Sequence, residues 1–376
     1  MATDSQPLRI LHAVRAPVGG IFRHILDIAN GQAARGHQVG IIADSLTGGE
    51  RAAAALAEIA PRLALGVYRL PSRREPHFSD LVAWTQFIRL VRKLNPNVLH
   101  GHGAKAGTYM RLKTASRDRI RVYTPHGGSL HYPLSTLKGN VYARIERALM
   151  NNTDLFLFES AFARDTYQRT IGTPKGLVRC VFNGVTAGEF DPVVKADDAT
   201  DVSYVGEFRR IKGADLLIDA VAKLRAAGHP VTLTLAGDGE ESASIKAQVE
   251  KLGLGEAVRF IGHVKARYGF SKGSLLVVPS RGDSMPYVVI EAAAAGIPMI
   301  AANIGGIPEI FGEHCDALFA PSNAVAMADA IEAGLKDPTA AKARAKALRE
   351  RIFMHFSQKA MVEGVVAGYR EAFANR

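Results

Sequence analysis

Short apolar runs separated by stretches of helical periodicity recur along the whole of this 376-residue chain, and that alternation restricts its fold more than any single residue does. In the first half, LRILHAV (8–14), QVGIIAD (38–44), GVYRLP (66–71), NVLHGHG (97–103), RVYTPHG (121–127) and DLFLFES (154–160) read as strands. Helices are expected from about Gly20 to Arg35, from about Gly49, up to Leu94, and from Ala104. Strands that are apolar throughout are buried on both faces, and amphipathic helices between them supply the cover, as in parallel βαβ units.

The pattern restarts after the polar, turn-rich VFNGVTAGEFDPVVKADDATD (181–201). The strand-like VSYVGEF (202–208), VTLTLAGDG (231–239), VRFIGHV (258–264), SLLVVPS (274–280), PMIAAN (298–303) and ALFAP (317–321) now alternate with helices expected over 213–227, 241–253 and 286–295. A chain of this length exceeds what one core organises. The expected architecture is α/β: two Rossmann-like, doubly wound parallel-sheet domains over 1–190 and 191–355, then a helix at 356–376 packing back toward the first. Ligands of such sheets bind at the carboxyl ends of the strands, so the functional cleft is expected between the domains.

Composition narrows the class. No apolar run approaches the roughly 18–20 residues of a membrane span. The N-terminal MATDSQPLRILHAV has no basic segment leading into an apolar one, so export is not expected. Cys180 and Cys315, the only cysteines, have neither metal-site nor disulfide-framework spacing, and a cytoplasmic setting follows as the expectation. The formal charge of +11 is uneven: residues 1–198 hold 26 Lys and Arg against 16 Asp and Glu. A basic first half calls for an anionic partner, nucleic acid or an anionic membrane surface. The aromatic stackers or binding module of a nucleic-acid protein are absent, so no nucleic acid is expected.

The chemistry-bearing residues lie at strand-to-helix turns. Gly19 and Gly20 begin the first helix, where a tight connection or an anion-binding turn both fit. The first strand is not followed by G-x-G-x-x-G and no P-loop occurs, which disfavours NAD enzymes and P-loop NTPases. Arg209, Arg210 and Lys212 precede a helix whose dipole prefers anions there; a solvated basic face, or a diphosphate over the turn, accounts for them. His126 ends a strand before two glycines. His100 and His102 share one strand face, but without a third nearby ligand no metal is expected. In RGDSMPYVVIEAAAAGIPMI (281–300), Pro286 suits a first helical turn, leaving Asp283 or Ser284 as the N-cap. The helix that follows is apolar nearly all round, so Glu291 is expected to be buried and to need donors such as ligand hydroxyls. In NIGGIPEI, Gly305 and Gly306 read as a tight turn before a helix.

Taken in order, GGIFRHILDIANGQAARGHQV, TPHGG, VFNGV, VGEFRRIKG, LAGDG, VPSRGDSMPYVVIEAAAAGIPMI and NIGGIPEI resemble the retaining glycosyltransferases of family 4 (glycosyl transferases group 1), which have the GT-B fold of two facing Rossmann-like domains with a cleft between them. The resemblance implies transfer of a sugar from a nucleotide-diphosphate donor, a UDP-sugar ahead of GDP-mannose, to an acceptor hydroxyl. Anomeric configuration is retained and no metal or other cofactor takes part. The family's paired glutamates fall on Asp283, at the transferred sugar, and Glu291, at the ribose hydroxyls; Asp283 is one methylene short. The family arginine after the glycine of the V-G-R turn is replaced by Glu207, which leaves Arg209 or Arg210 to supply that cation. Lys212 matches the diphosphate lysine, and Gly19, Gly20 and His126 match the acceptor-side loop and the cleft histidine. The catalytic set is thus His126, Asp283, Arg209 and Lys212, with Ser284, Met285, Pro286, Val264 and Asn183 joining the substrate contacts.

Charge developing on the leaving diphosphate would be met by these cations and by the helix start at 284–286. In the basic half, RLKTASRDRIRVY and HYPLSTLKGNVYARIERALM mix cations with apolar groups. Lys138, Arg144 and Arg147 suit a peripheral position on the inner membrane face and a lipid-linked or polysaccharide-precursor acceptor, although solvated helix faces also account for them. A same-fold sugar-nucleotide epimerase or phosphorylase is the other enzyme reading.

Overall fold

The structure, a computed structural model, describes residues 6–73, 79–112, 116, 118–127 and 134–376. The chain divides into two compact units, Met1–Asn183 with Gln358–Arg376, and Gly184–Ser357. The sequence pattern had put the division at 190.

The first unit is built on seven parallel strands, β1 (Arg9–Val14), β2 (Gln38–Asp44), β3 (Gly66–Leu70), β4 (Val98–His102), β5 (Ile120–Thr124), β6 (Leu155–Phe158) and β7 (Leu177–Cys180), in the order β3-β2-β1-β4-β5-β6-β7. Helices α1 (Gly19–Ala33), α2 (Gly49–Ile59), α3 (Ser79–Leu94), α4 (Ala104–Arg111), α5 (Leu137–Met150) and α6 (Ala161–Thr170) connect them. Successive side chains of a strand point to opposite faces, and β1 shows the result: Ile10 packs with Ile25 and Ile28 of α1, while Leu11 packs on the other face with Phe87 and Val91 of α3. A buried ion pair lies inside this unit. Arg111 of α4, its side chain fully buried, is 2.9 Å from Glu146 of α5, whose second carboxylate oxygen accepts from the Tyr123 hydroxyl at 2.7 Å.

The second unit has six parallel strands, β8 (Thr200–Val205), β9 (Leu233–Ala236), β10 (Val258–Gly262), β11 (Gly273–Val278), β12 (Met299–Ala302) and β13 (Leu318–Phe319), in the order β10-β9-β8-β11-β12-β13. Its helices are α7 (Ala214–Ala226), α8 (Ser242–Lys251), α9 (Ala266–Ser271), α10 (Tyr287–Ala294), α11 (Ile307–Phe311), α12 (Ala324–Lys336) and α13 (Pro338–His355). The chain then returns to the first unit as α14 (Gln358–Ala374), which adds Met361, Val362, Val365, Val366 and Tyr369 to the core holding Ile10 and Ile25.

Both sheets reverse their strand order once. After β3 the chain crosses to the far side of β1 and lays down β4; after β10 it crosses to the far side of β8 and lays down β11. Loops at such a switch point part to opposite faces and open a crevice at the strand ends. Among the described residues, no helix is long and apolar enough to cross a membrane.

Candidate active site

At the second unit's switch point the loop after β8 meets the loop after β11. Arg281 joins them. Its backbone N–H donates to the Ile211 carbonyl at 2.8 Å, and its guanidinium donates to the Arg210 carbonyl at 2.7 Å and to both carboxylate oxygens of Asp215 at 2.7 and 2.6 Å. Burial pushes the Asp215 carboxyl up, but the Arg281 hydrogen bonds prevail and hold it below its usual range. Gly213, at φ +74°, lets the first loop close onto β11, because a Cβ there would overlap the Pro279 carbonyl oxygen.

This clamp brings Lys212 to Asp283. The ammonium donates to Asp283 Oδ1 at 2.6 Å, while Oδ2 is buried and has no hydrogen-bond partner among the described residues. The loop after β12 supports Asp283 from behind, its Gly306 N–H donating to the Asp283 carbonyl at 3.0 Å. Gly305, at φ +65°, leaves that carbonyl room, and a Cβ would overlap it. Gly305→Ala should therefore displace the Asp283 loop and lower activity by about 10²-fold, the usual effect of a misplacement of about 1 Å. Initial rates on folded variant check this; wild-type rates would show that the loop yields at no cost.

The first unit's switch point holds histidines. His12 of β1, His24 of α1, His100 and His102 of β4, and His126 after β5 form one array. His12 Nδ1 lies 3.0 Å from His102 Nε2, and His102 Nδ1 lies 3.0 Å from His126 Nε2. Outer nitrogens meet Gln32, Asn183, Tyr369 and Thr124 at 2.7–2.9 Å. Burial depresses every member, His12 and His24 to about 4, and His100, His102 and His126 well below the usual imidazole value. All five are neutral at pH 7. The expectation that no third ligand stands near His100 and His102 is corrected: His12, His100 and His102, and also His24, His102 and His126, have ring nitrogens within 4.8 Å of one another. Beside the array α1 begins at Gly19 with neither a side-chain cap nor an acid in its first turn.

Two family models together span residues 18–351: "Glycosyltransferase Family 4" matches residues 18–188 and "Glycosyl transferases group 1" matches 188–351. The chain belongs to the family 4, group 1 glycosyltransferases. This glycosyltransferase is 26% identical over 383 residues to the glycogen synthase of Mycobacterium tuberculosis (strain CDC 1551 / Oshkosh), with 94% of this chain and 92% of that protein covered. Among solved structures, sucrose-phosphate synthase from Thermosynechococcus elongatus is 25% identical, with TM-score 0.80 and coverage of 99% of this chain and 100% of that one. Anabaena HepE, solved in complex with UDP-glucose, is 18% identical with TM-score 0.81, covering 97% and 100%, a likeness of fold alone. The fold is GT-B.

The glycosyltransferase departs from the sequence reading at several positions. Pro286, not Asp283 or Ser284, is the N-cap of α10. Glu291 is half-buried, because it and Val288 form one less covered stripe of an otherwise buried helix. The cations before α7 conflict with its dipole less than expected: Lys212 is paired with Asp283, Arg209 lies 3.7 Å from Glu207 and 3.8 Å from Glu240, and Asp215 supplies an acid in the first turn. The Arg210 side chain is exposed, Ser284 is half-buried, Met285 and Pro286 are buried, and Val264 is half-buried in the loop between β10 and α9. Asn183 is buried with its Oδ1 2.9 Å from His24 Nδ1. Gly128 of TPHGG, residues 113–115 and 117 of RLKTASRDRIRVY, and residues 131–133 of HYPLSTLKGNVYARIERALM lie outside the described residues. Sequence reasoning passed over Arg281, Asp215 and the array as a whole.

Proposed function

We propose that this glycosyltransferase moves a sugar from a UDP-sugar to an acceptor hydroxyl with retention and without a metal ion. The observation that carries the reading is Asp283: one carboxylate oxygen holds Lys212 and the other, buried and unpartnered among the described residues, needs a donor. Leaving such an oxygen unpaired costs about 1–3 kcal/mol, and a hydroxyl of the transferred sugar removes that cost. The diphosphate then lies over Lys212, with Arg209 or Arg210 beside it and the start of α10, which has neither a side-chain cap nor an acid in its first turn, facing its charge. Glu291 takes the ribose hydroxyls. As the anomeric C–O bond breaks, its electron pair leaves with the phosphate, whose oxygen takes the proton of the acceptor hydroxyl, and the new C–O bond forms on the face the phosphate left. Asp283 positions the sugar and does not attack it.

UDP-glucose in the HepE structure supports uracil as the donor base, and glycogen synthase among the relatives supports a glycan acceptor. A membrane-surface acceptor has support from α5. Leu137, Val141 and Ile145 recur at every fourth position and are exposed, Leu137 by 83%, with exposed Lys138 and Arg144 beside them. Arg147 is instead held by the carbonyls of Ile171 and Thr170.

A thermal-shift series with UDP, GDP, ADP and their sugars tests the donor site. UDP at about 100 times its Kd should stabilise the protein by about 2.7 kcal/mol, equally with and without EDTA, and turnover should survive EDTA. A larger shift with GDP would overturn the base assignment, and turnover lost in EDTA would overturn the metal-free mechanism.

A further inference from the structure

We propose that Gln32, acting through His12 and His102, fixes the tautomer of His126, so that His126 presents a bare Nδ1 and accepts a hydrogen bond from a substrate hydroxyl. This deepens the functional reading above and rests on it for one point, that His126 faces substrate.

A neutral imidazole donates from one ring nitrogen and accepts at the other. Burial keeps every member of the array neutral, so a nitrogen–nitrogen contact of 3.0 Å holds one proton, and the orientation of any one member dictates the next. Gln32, wholly buried, sets the direction. Its carbonyl Oε1 faces His12 Nε2 at 2.8 Å and can only accept, so His12 carries its proton on Nε2 and leaves Nδ1 bare. His102 must then donate from Nε2 to His12 Nδ1, which leaves His102 Nδ1 to accept from His126 Nε2. His126 ends with the proton on Nε2, and among the described residues its Nδ1 has no partner.

The other arm follows from the same orientation. The Gln32 amide N–H donates to the Tyr369 hydroxyl at 3.4 Å, which leaves that hydroxyl to donate to His100 Nδ1, 2.7 Å away, and His100 Nε2 to donate to Thr124 Oγ1, 2.8 Å away. Rotating the Gln32 amide would reverse every bond of the array and turn His126 Nδ1 into a donor, suited to a phosphate or carbonyl oxygen. The array therefore has two self-consistent states, and the amide orientation selects the one that reads hydroxyls. His24, edge-on to His126 with ring centroids 4.9 Å apart, has its Nδ1 at Asn183 Oδ1 and stands outside this chain of bonds.

Long-range ¹H–¹⁵N spectra of the histidine rings in the full-length protein test this directly. The expected wild-type spectrum shows His126 protonated at Nε2 and bare at Nδ1, and Gln32→Met, which removes the acceptor, mixes the two tautomers and raises a substrate KM roughly 2- to 10-fold, the worth of one hydrogen bond. A wild-type His126 protonated at Nδ1 overturns the proposal whether or not the variant folds, as does a tautomer unchanged in Gln32→Met. If the tautomers mix while KM and kcat stay at wild-type values, the array stands as described and the substrate-facing role of His126 is what fails.

Discussion

Lys212→Ala should lower sugar transfer by about 10²–10³-fold, the loss that follows removal of one preorganised group aimed at developing charge. The lysine does two things at once. On the proposed reading it places a fixed cation where the diphosphate leaves, and it offsets the charge of Asp283, to which it is bonded at 2.6 Å. Without it Asp283 would have neither oxygen partnered among the described residues, a bare carboxylate beside the proposed anionic donor. The fold should survive, because Lys212 sits in the turn before α7 with its side chain 27% exposed. Initial rates at saturating donor, with circular dichroism and a melting curve on the same sample, decide the matter. Turnover within a few fold of wild type on a folded sample would remove Lys212 from the chemistry.

The second large effect concerns stability. Glu146→Ala should cost the first unit about 3–5 kcal/mol, because it strands a buried charge. The Arg111 guanidinium donates to the Gly107 carbonyl at 2.9 Å, pairs with Glu146 and lies 3.8 Å from the centre of the Tyr123 ring. Burial works against its charge, and the Glu146 carboxylate prevails to hold its pKa above the ordinary value. At about 2–4 °C per kcal/mol for a unit of this size, the melting point should fall by about 6–20 °C. Replacing both residues with apolar ones of similar volume should cost far less, since nothing charged is then left inside. A single variant melting with the wild type would show that the pair contributes nothing.

The fold was legible because the second sheet's strand ends carry their own punctuation: VGEFRRIKG and VPSRGD each announce a turn. The clamp between those turns was not, since Arg281 and Asp215 are 66 positions apart and each reads as an ordinary charged loop or helix residue. The histidines were hidden for a related reason. His12, His24, His100, His102 and His126 come from four separate segments, and only the parallel register that sets His12 opposite His100 gathers them. Register between β1 and β4 depends on where the chain crosses over, which a run of apolar residues does not encode. For Glu291 the error was one of degree: an all-round apolar helix implied full burial, and a single stripe escaped it.

The return of α14 to the first unit has a consequence for how the molecule is made. Residues 1–183 leave the ribosome long before 358–376, with all of the second unit synthesised between them. The usual order, in which the N-terminal body closes first, is therefore inverted: the second unit is complete in sequence while the first still lacks a core helix. Tyr369, which bonds His100, arrives on that helix, so the histidine array is completed only after the turns that carry Lys212 and Asp283 have been translated.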